Sequence, residues 1–256
     1  MTMRRRALAG VLPGALLGAL LAAGVASAQD YERERRWAEE FLPAVVVGDP
    51  VRIRAASGRE FIGLFAAGKP GQAALVLAHG VGVHPDHGVI GILRAGLNDL
   101  GYTTLSIQMP VAAKEAQVDD YYPKLFPDAA DRLARAAEWL RAKGHASVVL
   151  VSHSMGAWMA NEYFDRAHEA TPYRAWVAMG LTGGFSWGMR RYMFPILDVY
   201  GENDLAPTVG AAGRRRFALK DANGSRQVMI AGADHFYAGR ERQLAEAIDA
   251  FVRSLR

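Results

Sequence analysis

The sequence predicts an α/β protein with a mostly parallel, twisted sheet and helices on both faces. Short apolar runs, typical of strands buried on both sides, alternate with helical patterns at the spacing of β-α-β crossovers. Polar, glycine-containing segments follow several of these runs, where the loops of parallel sheets bind ligands. We therefore expect one domain over residues 29–256, with no separate cap domain.

The predicted strands begin with a hairpin and continue as single runs separated by helices. Ser57-Gly58 has the composition of a turn between the first two strands. The eight predicted strands are Val51–Arg54, Glu60–Phe65, Ala73–Ala78, Tyr102–Ile107, Ser147–Val151, Ala175–Met179, Ile196–Tyr200 and Arg226–Ile230.

The predicted helices have apolar residues three and four positions apart, and glycines follow two of them. A charged segment, Tyr31–Glu40, is expected to be helical or frayed, and Gln108–Pro127 contains three prolines and is expected to be irregular. The five remaining helices are predicted at Val89–Leu100, Asp128–Lys143, Met155–Ala167, Pro207–Leu219 and Gln243–Leu255.

The first 28 residues have the pattern of a secretory signal peptide. Arg4 to Arg6 form a basic start, an apolar run from Ala7 to Val25 follows, and Ala26-Ser27-Ala28 fits a cleavage site. An uncleaved membrane anchor is the alternative, because the apolar run approaches the length that spans a bilayer. The small-residue site and Pro13 within the run favour cleavage after Ala28 and a periplasmic or secreted protein.

Charge and composition exclude several classes of function. The formal net charge is +4, and removal of the three leader arginines leaves +1, so we expect no nucleic-acid partner. The cluster Arg214 to Arg216 is interpreted as a solvated helix face. The chain has no cysteine, which excludes disulfides, thiolate metal sites and a cysteine nucleophile.

The sequence SHSMG at 152–156 resembles the strand-to-helix turn that presents a nucleophilic serine. This turn needs small residues two positions before and after Ser154, and Gly156 meets that need. Ser152 stands where the pattern has glycine, but its side chain is small enough to be tolerated. A helix cap is the alternative role for Ser154.

Two further polar residues follow predicted strands and complete a catalytic triad. His235 comes shortly after the strand ending at Ile230 and is the candidate general base. Asp204 comes after the strand ending at Tyr200 and is the candidate acid that orients His235, with Glu202 and Asp198 as weaker candidates.

Acyl transfer also requires hydrogen-bond donors for the oxyanion. The segment HGVG at 79–82 follows the first buried strand, where the second donor is expected. We assign the donors to the main-chain N–H groups of Met155 and Val81, with Gly82 as an alternative to Val81.

A metal site is a weaker alternative for the same region. His79, His84, Asp86 and His87 are residue types that bind zinc, but their spacing matches no known zinc motif. A polar loop over the active site explains them better, and we expect neither a metal nor a cofactor.

Four segments together resemble the signature loops of the α/β-hydrolase superfamily. They read HGVG, SHSMG, YGENDLAP and GADHFY, and they cover the chain from about Ala73 to its end. The stretch HPDHGVIGILRAGLNDLGYTTLSIQMP, together with DVYGENDL, more narrowly resembles an uncharacterised family of exported bacterial α/β-hydrolases. The resemblance implies the fold and the order Ser154, Asp204, His235; it does not imply a substrate.

The first hypothesis is a serine hydrolase that acts on a small-molecule ester or related acyl substrate. An acyltransferase with the same triad and a non-catalytic binding protein on the same fold are the alternatives. The candidates for an apolar acyl pocket are Trp158, Phe185, Trp187 and Tyr237. The acyl group and the oligomeric state are left open, and no stable membrane insertion is expected after signal cleavage.

Overall fold

Eight strands form one sheet in the computed structural model, which describes residues 29–121, 124–167, 171–186, 194–220 and 224–255. The predicted signal peptide lies outside the described residues. The strands are β1 (Asp49–Arg54), β2 (Glu60–Ala66), β3 (Ala74–Ala78), β4 (Thr103–Ile107), β5 (Val148–His153), β6 (Ala175–Met179), β7 (Ile196–Asn203) and β8 (Arg226–Asp234).

The order of the strands across the sheet is β1-β2-β4-β3-β5-β6-β7-β8. β2 is antiparallel to both of its neighbours, and all pairs from β4 to β8 are parallel. The carboxyl ends of β3, β5, β7 and β8 therefore lie along one edge of the sheet, where an α/β sheet binds its ligand. The predicted mostly parallel sheet is confirmed.

The described part of the chain contains six α-helices, which connect or flank the strands. β3 and β5 both end at small or polar residues before a helix begins, so helices start beside the same edge of the sheet. The helices are α1 (Tyr31–Phe41), α2 (Gly88–Asp99), α3 (Phe126–Ala142), α4 (Met155–Ala167), α5 (Ala206–Leu219) and α6 (Glu241–Arg253).

The core lies on both faces of the sheet. Val76 and Ala78 pack in one apolar cluster with residues of α3 and α4, and Leu75 and Leu77 pack in another with residues of α2 and α6. Alternate residues of a strand point to opposite faces, so a strand covered on both sides must be apolar throughout. All five residues of β3 are fully buried, as that arrangement requires.

Several strands are longer than the sequence predicts: β5 continues two residues beyond Val151 to His153, and two other strands are extended further. β7 continues to Asn203 instead of ending at Tyr200, and β8 continues to Asp234 instead of Ile230. Pairing between them shifts register beyond Gly201, where an added side chain would collide with the main chain of β8. Because β7 and β8 approach each other closely here, they stay paired beyond the apolar residues from which the sequence predicts their ends.

The interpretation of the arginine cluster as a solvated face is wrong for Arg215. Arg214 and Arg216 are exposed, but Arg215 is fully buried and its Nε donates to Asp198 Oδ2 at 2.8 Å. A helix of 3.6 residues per turn points consecutive residues in different directions, so one of three can face the sheet. Arg215 also donates to the carbonyl of Gly183 at 2.8 Å.

The segment before the sheet is fixed to the body of the domain. Phe41 at the end of α1 packs on Ile62 and Leu64 of β2. Glu34 of α1 forms a buried ion pair with Arg132 of α3, with Nη1 2.8 Å from Oε1. Among the residues that the structure describes, no helix is long and apolar enough to span a membrane.

Candidate active site

Ser154 lies at the sharp turn between β5 and α4. Its φ of 56° is in the left-handed region, which a non-glycine residue rarely adopts outside functional sites. The Ser154 N–H holds this turn by donating to the carbonyl of Met179 at 2.9 Å. A side chain at Gly156 would come within 2.7 Å of the Ala78 carbonyl oxygen, so glycine is required there.

The departure from glycine at position 152 has a structural reason. Ser152 is fully buried and pairs in the sheet with Ala78 on β3 and Ala178 on β6, which leave room for its side chain. Its hydroxyl accepts a hydrogen bond from the indole Nε1 of Trp176 at 2.8 Å. Serine therefore both fits the turn and provides an acceptor to a buried tryptophan.

Three residues from three loops meet at the edge of the sheet. His235 Nδ1 lies 2.6 Å from Asp204 Oδ1, and His235 Nε2 lies 2.9 Å from Ser154 Oγ. A carboxylate only accepts, so Nδ1 carries the proton and Nε2 is free to accept from the serine hydroxyl. The side chains that the sequence predicts as a triad are thus hydrogen-bonded in the predicted order, from Ser154 through His235 to Asp204.

Asp204 is held as a carboxylate although it is buried. Burial alone raises its pKa, but hydrogen bonds from His235 and from the main-chain N–H groups of Leu205 and Gly201 outweigh this effect, and the pKa is lowered. Gly180 allows the close packing, because an added Cβ there would lie 3.0 Å from the His235 ring. A charged acid beside Nδ1 is the arrangement that stabilises an imidazolium.

The two weaker candidates, and Asp234 beside the histidine, have different partners. Glu202 Oε2 accepts from the Gly232 N–H at 2.8 Å. Asp198 lies within β7 and pairs with Arg215, and Asp234 accepts from the Phe236 N–H at 2.9 Å. Asp204 is the acid that contacts the imidazole of His235.

The loop after β3 brings a second set of main-chain donors beside Ser154. An added Cβ at Gly80 would lie 3.3 Å from the Ser154 Cβ, so the glycine loop passes directly over the serine. The Gly80 carbonyl accepts from His79 Nδ1 at 2.8 Å, and a trans peptide then directs the Val81 N–H the opposite way. Met155 is the first residue of α4, where N–H groups have no intrahelical partner.

Several solved structures share this architecture and align with most of the chain. A dienelactone hydrolase from Anabaena variabilis matches 81% of this chain and 98% of its own at 21% identity, with a TM-score of 0.64. XC6422 from Xanthomonas campestris, an α/β serine hydrolase without a lid, matches 82% and 95% at 17% identity, with a TM-score of 0.60. The chain has the α/β-hydrolase fold.

Est1E from Butyrivibrio proteoclasticus gives a further match to this fold. It covers 81% of this chain and 99% of its own at 14% identity, with a TM-score of 0.62, and another structure of it contains ferulic acid. No protein-family model matches the chain, and no curated protein matches it. At these identities the matches establish the fold alone, and it is the α/β-hydrolase fold that the sequence resemblance implies.

An apolar cavity of about 480 Å³ lies over Ser154. Ile92, Leu205 and Phe236 are exposed at its lining. Thr182 and Glu241 are among the polar residues that line it, besides Ser154 and the nearby histidines. Residues that line its interior include Val81, Val89, Ile90, Met155 and Trp158.

The predicted pocket residues divide into three groups. Trp158 lines the cavity and its indole N–H donates to Thr182. Tyr237 does not line it: its side chain is fully buried and its hydroxyl donates to the Val199 carbonyl at 3.0 Å. Phe185 packs edge-on against Trp176, and Trp187 lies outside the described residues.

His153 is a site residue that the sequence reasoning missed. Its Nε2–H donates to the main-chain carbonyl of His235 at 2.8 Å and so holds the loop that carries this residue. Burial, and then the nearby charge of His235, lower the pKa of His153 to about 4, so it is neutral at pH 7. Its position directly before Ser154 was the signal that could have revealed it.

The histidine-rich segment does not assemble a metal site in the described part of the chain. His79 is engaged with the Met109 N–H and the Gly80 carbonyl, and His84 stacks on Phe41 with ring centroids 4.4 Å apart. Asp86 accepts from Arg94 Nε at 2.7 Å. His79, His84 and Asp86 thus have other partners, and His87 lines the cavity over Ser154 and contacts the ring of His84 edge-on.

Proposed function

We propose that this chain is an exported serine hydrolase that cleaves esters or related acyl compounds through an acyl-enzyme. The observation that carries the proposal is the continuous hydrogen-bond chain from Ser154 through His235 to Asp204. Serine alone is a weak nucleophile, and an adjacent base oriented by an acid is the arrangement that activates it.

The first half-reaction transfers the acyl group to Ser154. Its Oγ forms a bond to the carbonyl carbon while His235 Nε2 takes the hydroxyl proton. The tetrahedral intermediate then breaks the bond to the leaving oxygen, which receives that proton from Nε2. Asp204 accepts from Nδ1 throughout and stabilises the imidazolium.

The second half-reaction releases the acid and restores the enzyme. His235 Nε2 takes a proton from water, whose oxygen attacks the acyl carbon, and Ser154 Oγ leaves with that proton. In both halves the carbonyl oxygen becomes negatively charged, and the N–H groups of Met155 and Val81 are the donors that would stabilise it.

The cavity favours an apolar acyl or aromatic group as the substrate portion held near Ser154. Val89, Ile90 and Trp158 line it, and exposed apolar side chains continue to its rim. Burial of apolar substrate surface supplies binding energy at about 25 cal/mol per Å². Ferulic acid, which is bound in a structure of Est1E, combines an aromatic ring with a carboxyl group, so feruloyl esters belong in the substrate panel.

A fluorophosphonate probe is expected to label Ser154, because only an activated serine attacks such a phosphorus centre readily. Peptide mass spectrometry of the labelled protein locates the adduct, and Ser154→Ala is the matched control. The same protein is then tested with 4-nitrophenyl esters of graded acyl length and with methyl ferulate. Absence of labelling together with absence of ester cleavage would overturn the proposed function; added alcohol acceptors distinguish hydrolysis from acyl transfer.

We also propose that residues 1–28 are removed on export, leaving one α/β-hydrolase domain from Gln29 onward in the periplasm or medium. The proposal rests on the basic start, the apolar run and the Ala-Ser-Ala site.

Sequencing of protein recovered from a bacterial host is expected to give Gln29 as the first residue. Ala28→Leu is the matched control, since a bulky residue at the cleavage site should block processing. An intact Met1 on the parent protein in the membrane fraction would show that the segment is an anchor.

A further inference from the structure

A buried hydrogen-bond chain leads from α1 toward the main chain beside Ser154. Glu34 accepts from both terminal nitrogens of Arg132, at 2.8 and 2.9 Å. Arg132 Nη1 also donates to the carbonyl of Gln108 at 2.8 Å. The N–H of the same peptide unit, on Met109, donates to His79 Nε2 at 2.9 Å.

This series of hydrogen bonds continues through the imidazole of His79. Because the Met109 N–H can only donate, His79 Nε2 must be an acceptor, and the ring proton of the neutral form is on Nδ1. His79 Nδ1–H then donates to the Gly80 carbonyl at 2.8 Å. That carbonyl and the Val81 N–H belong to one planar trans peptide, so fixing one direction fixes the other.

His79 is suited to this connection because it stays neutral. Burial lowers its pKa to about 3, and the charge of Arg132 adds to the lowering. A protonated ring would carry a donor on Nε2 and lose the bond from Met109. Glu34, Arg132, Gln108, Met109 and His79 are all buried, so water competes little for the bonds among them, and Gly80 and Val81 at the active-site end are half-buried.

Every hydrogen bond in this series runs in the same donor-to-acceptor direction. The guanidinium donates to a peptide carbonyl, that peptide donates to the imidazole, and the imidazole donates to the next peptide. Bonds aligned in this way polarise one another, and the effect is larger in a low-dielectric interior. The dipole of the Glu34–Arg132 pair, whose positive end faces the Gln108 carbonyl, therefore makes the last donor, the Val81 N–H, more positive as well as fixing its direction.

We propose that Arg132 and His79 are positioning residues that orient and polarise the Val81 N–H as an oxyanion donor. The inference rests on the proposed function, because it assigns a purpose to a bond made in the transition state of acyl transfer. Arg132 does not line the cavity, and both ring nitrogens of His79 are bonded to main-chain groups. Both act through the peptide units between them.

The decisive variant replaces the ion pair by two apolar side chains, Glu34→Met with Arg132→Met. Replacing both partners of a buried pair is often neutral for folding, whereas removing one leaves an uncompensated charge. The double variant is expected to fold, with a melting temperature lowered by the loss of the bonds to the Gln108 carbonyl and from the Gln29 amide. Its kcat is expected to fall between about 10- and 100-fold, below the loss from deleting a whole oxyanion donor.

The readout that separates positioning from packing is a comparison of transition-state and ground-state binding. An alkylboronic acid forms a tetrahedral adduct on the serine, so its affinity should fall by the same factor as kcat/KM while KM stays nearly constant. Tyr173→Phe is the control. It removes a hydrogen bond to the Leu133 carbonyl on α3, the helix that carries Arg132, and should lower the melting temperature without changing kcat.

A second pair of variants tests the centre of the chain. Gln in His79→Gln supplies both an acceptor and a donor and is expected to restore part of the activity that His79→Leu loses. These variants keep the inference testable if the double methionine variant does not fold.

The inference is overturned if the folded variant with Glu34→Met and Arg132→Met keeps its kcat and its boronate affinity within twofold of the parent. It is also overturned if His79→Gln is no more active than His79→Leu. Failure of the proposed function would look different: the parent protein itself would hydrolyse no ester, bind no boronate and show no labelling at Ser154.

Discussion

Ser154→Ala is expected to lower kcat by about 10⁶-fold, the scale measured for removing the nucleophile of a serine triad. Without the hydroxyl, His235 has no proton to accept from the enzyme and no acyl-enzyme can form. The fold should be unaffected, because the alanine keeps the turn held by the bond from residue 154 to Met179. Kinetics on a 4-nitrophenyl ester and a thermal melt measure the two effects separately.

Ser152→Ala is the matched control for this prediction. It removes a hydroxyl two residues away that accepts from Trp176 and does not contact His235. The variant should lose about 1 kcal/mol of unfolding free energy and keep its kcat within a few fold. If Ser154→Ala retained near-normal turnover while Ser152→Ala abolished it, the nucleophile would be the wrong serine.

The hydrogen-bonded arrangement of Ser154, His235 and Asp204 could be predicted because it depends on the simplest property of a parallel sheet. Ser154, Asp204 and His235 each follow a strand, and the carboxyl ends of parallel strands lie at one edge. Periodicity locates the strands, so residues about 30 and 80 positions apart could be brought together without coordinates. The ends of β5, β7 and β8 were predicted too early, because polar residues continue the pairing there.

The contacts that support the site could not be predicted, because the residues that form them also fit the pattern of a solvent-exposed helix face. Arg132 fits the polar side of an amphipathic helix, and only the packing of α1 shows that it is buried against Glu34. Arg215 likewise belongs to an arginine cluster that composition assigns to solvent. Burial of a single charged side chain depends on helix rotation, and sequence periodicity does not determine that rotation finely enough.

Glu202 and Asp198 provide the comparison that isolates the role of Asp204. Glu202→Gln alters a surface carboxylate that accepts from Gly232, and it should keep nearly full activity. Asp198→Asn differs, because Asp198 and Arg215 are both fully buried and removal of one charge leaves the other uncompensated. That variant should lose about 3–5 kcal/mol of stability, with a melting temperature far below that of the parent.

Asp204→Asn is expected to lower kcat by about 10⁴-fold while the protein still folds, by analogy with a well-studied triad of the same geometry. The asparagine keeps the shape but removes the charge that lowers the energy of the imidazolium, and its amide can donate to Nδ1 and so favour the wrong tautomer. Labelling of Ser154 by the fluorophosphonate should slow in parallel, since the serine loses its base. If Glu202→Gln proved the inactive variant while Asp204→Asn kept most of its turnover, Asp204 would only bind the N–H groups of Gly201 and Leu205, and the acid of the triad would have to be reassigned.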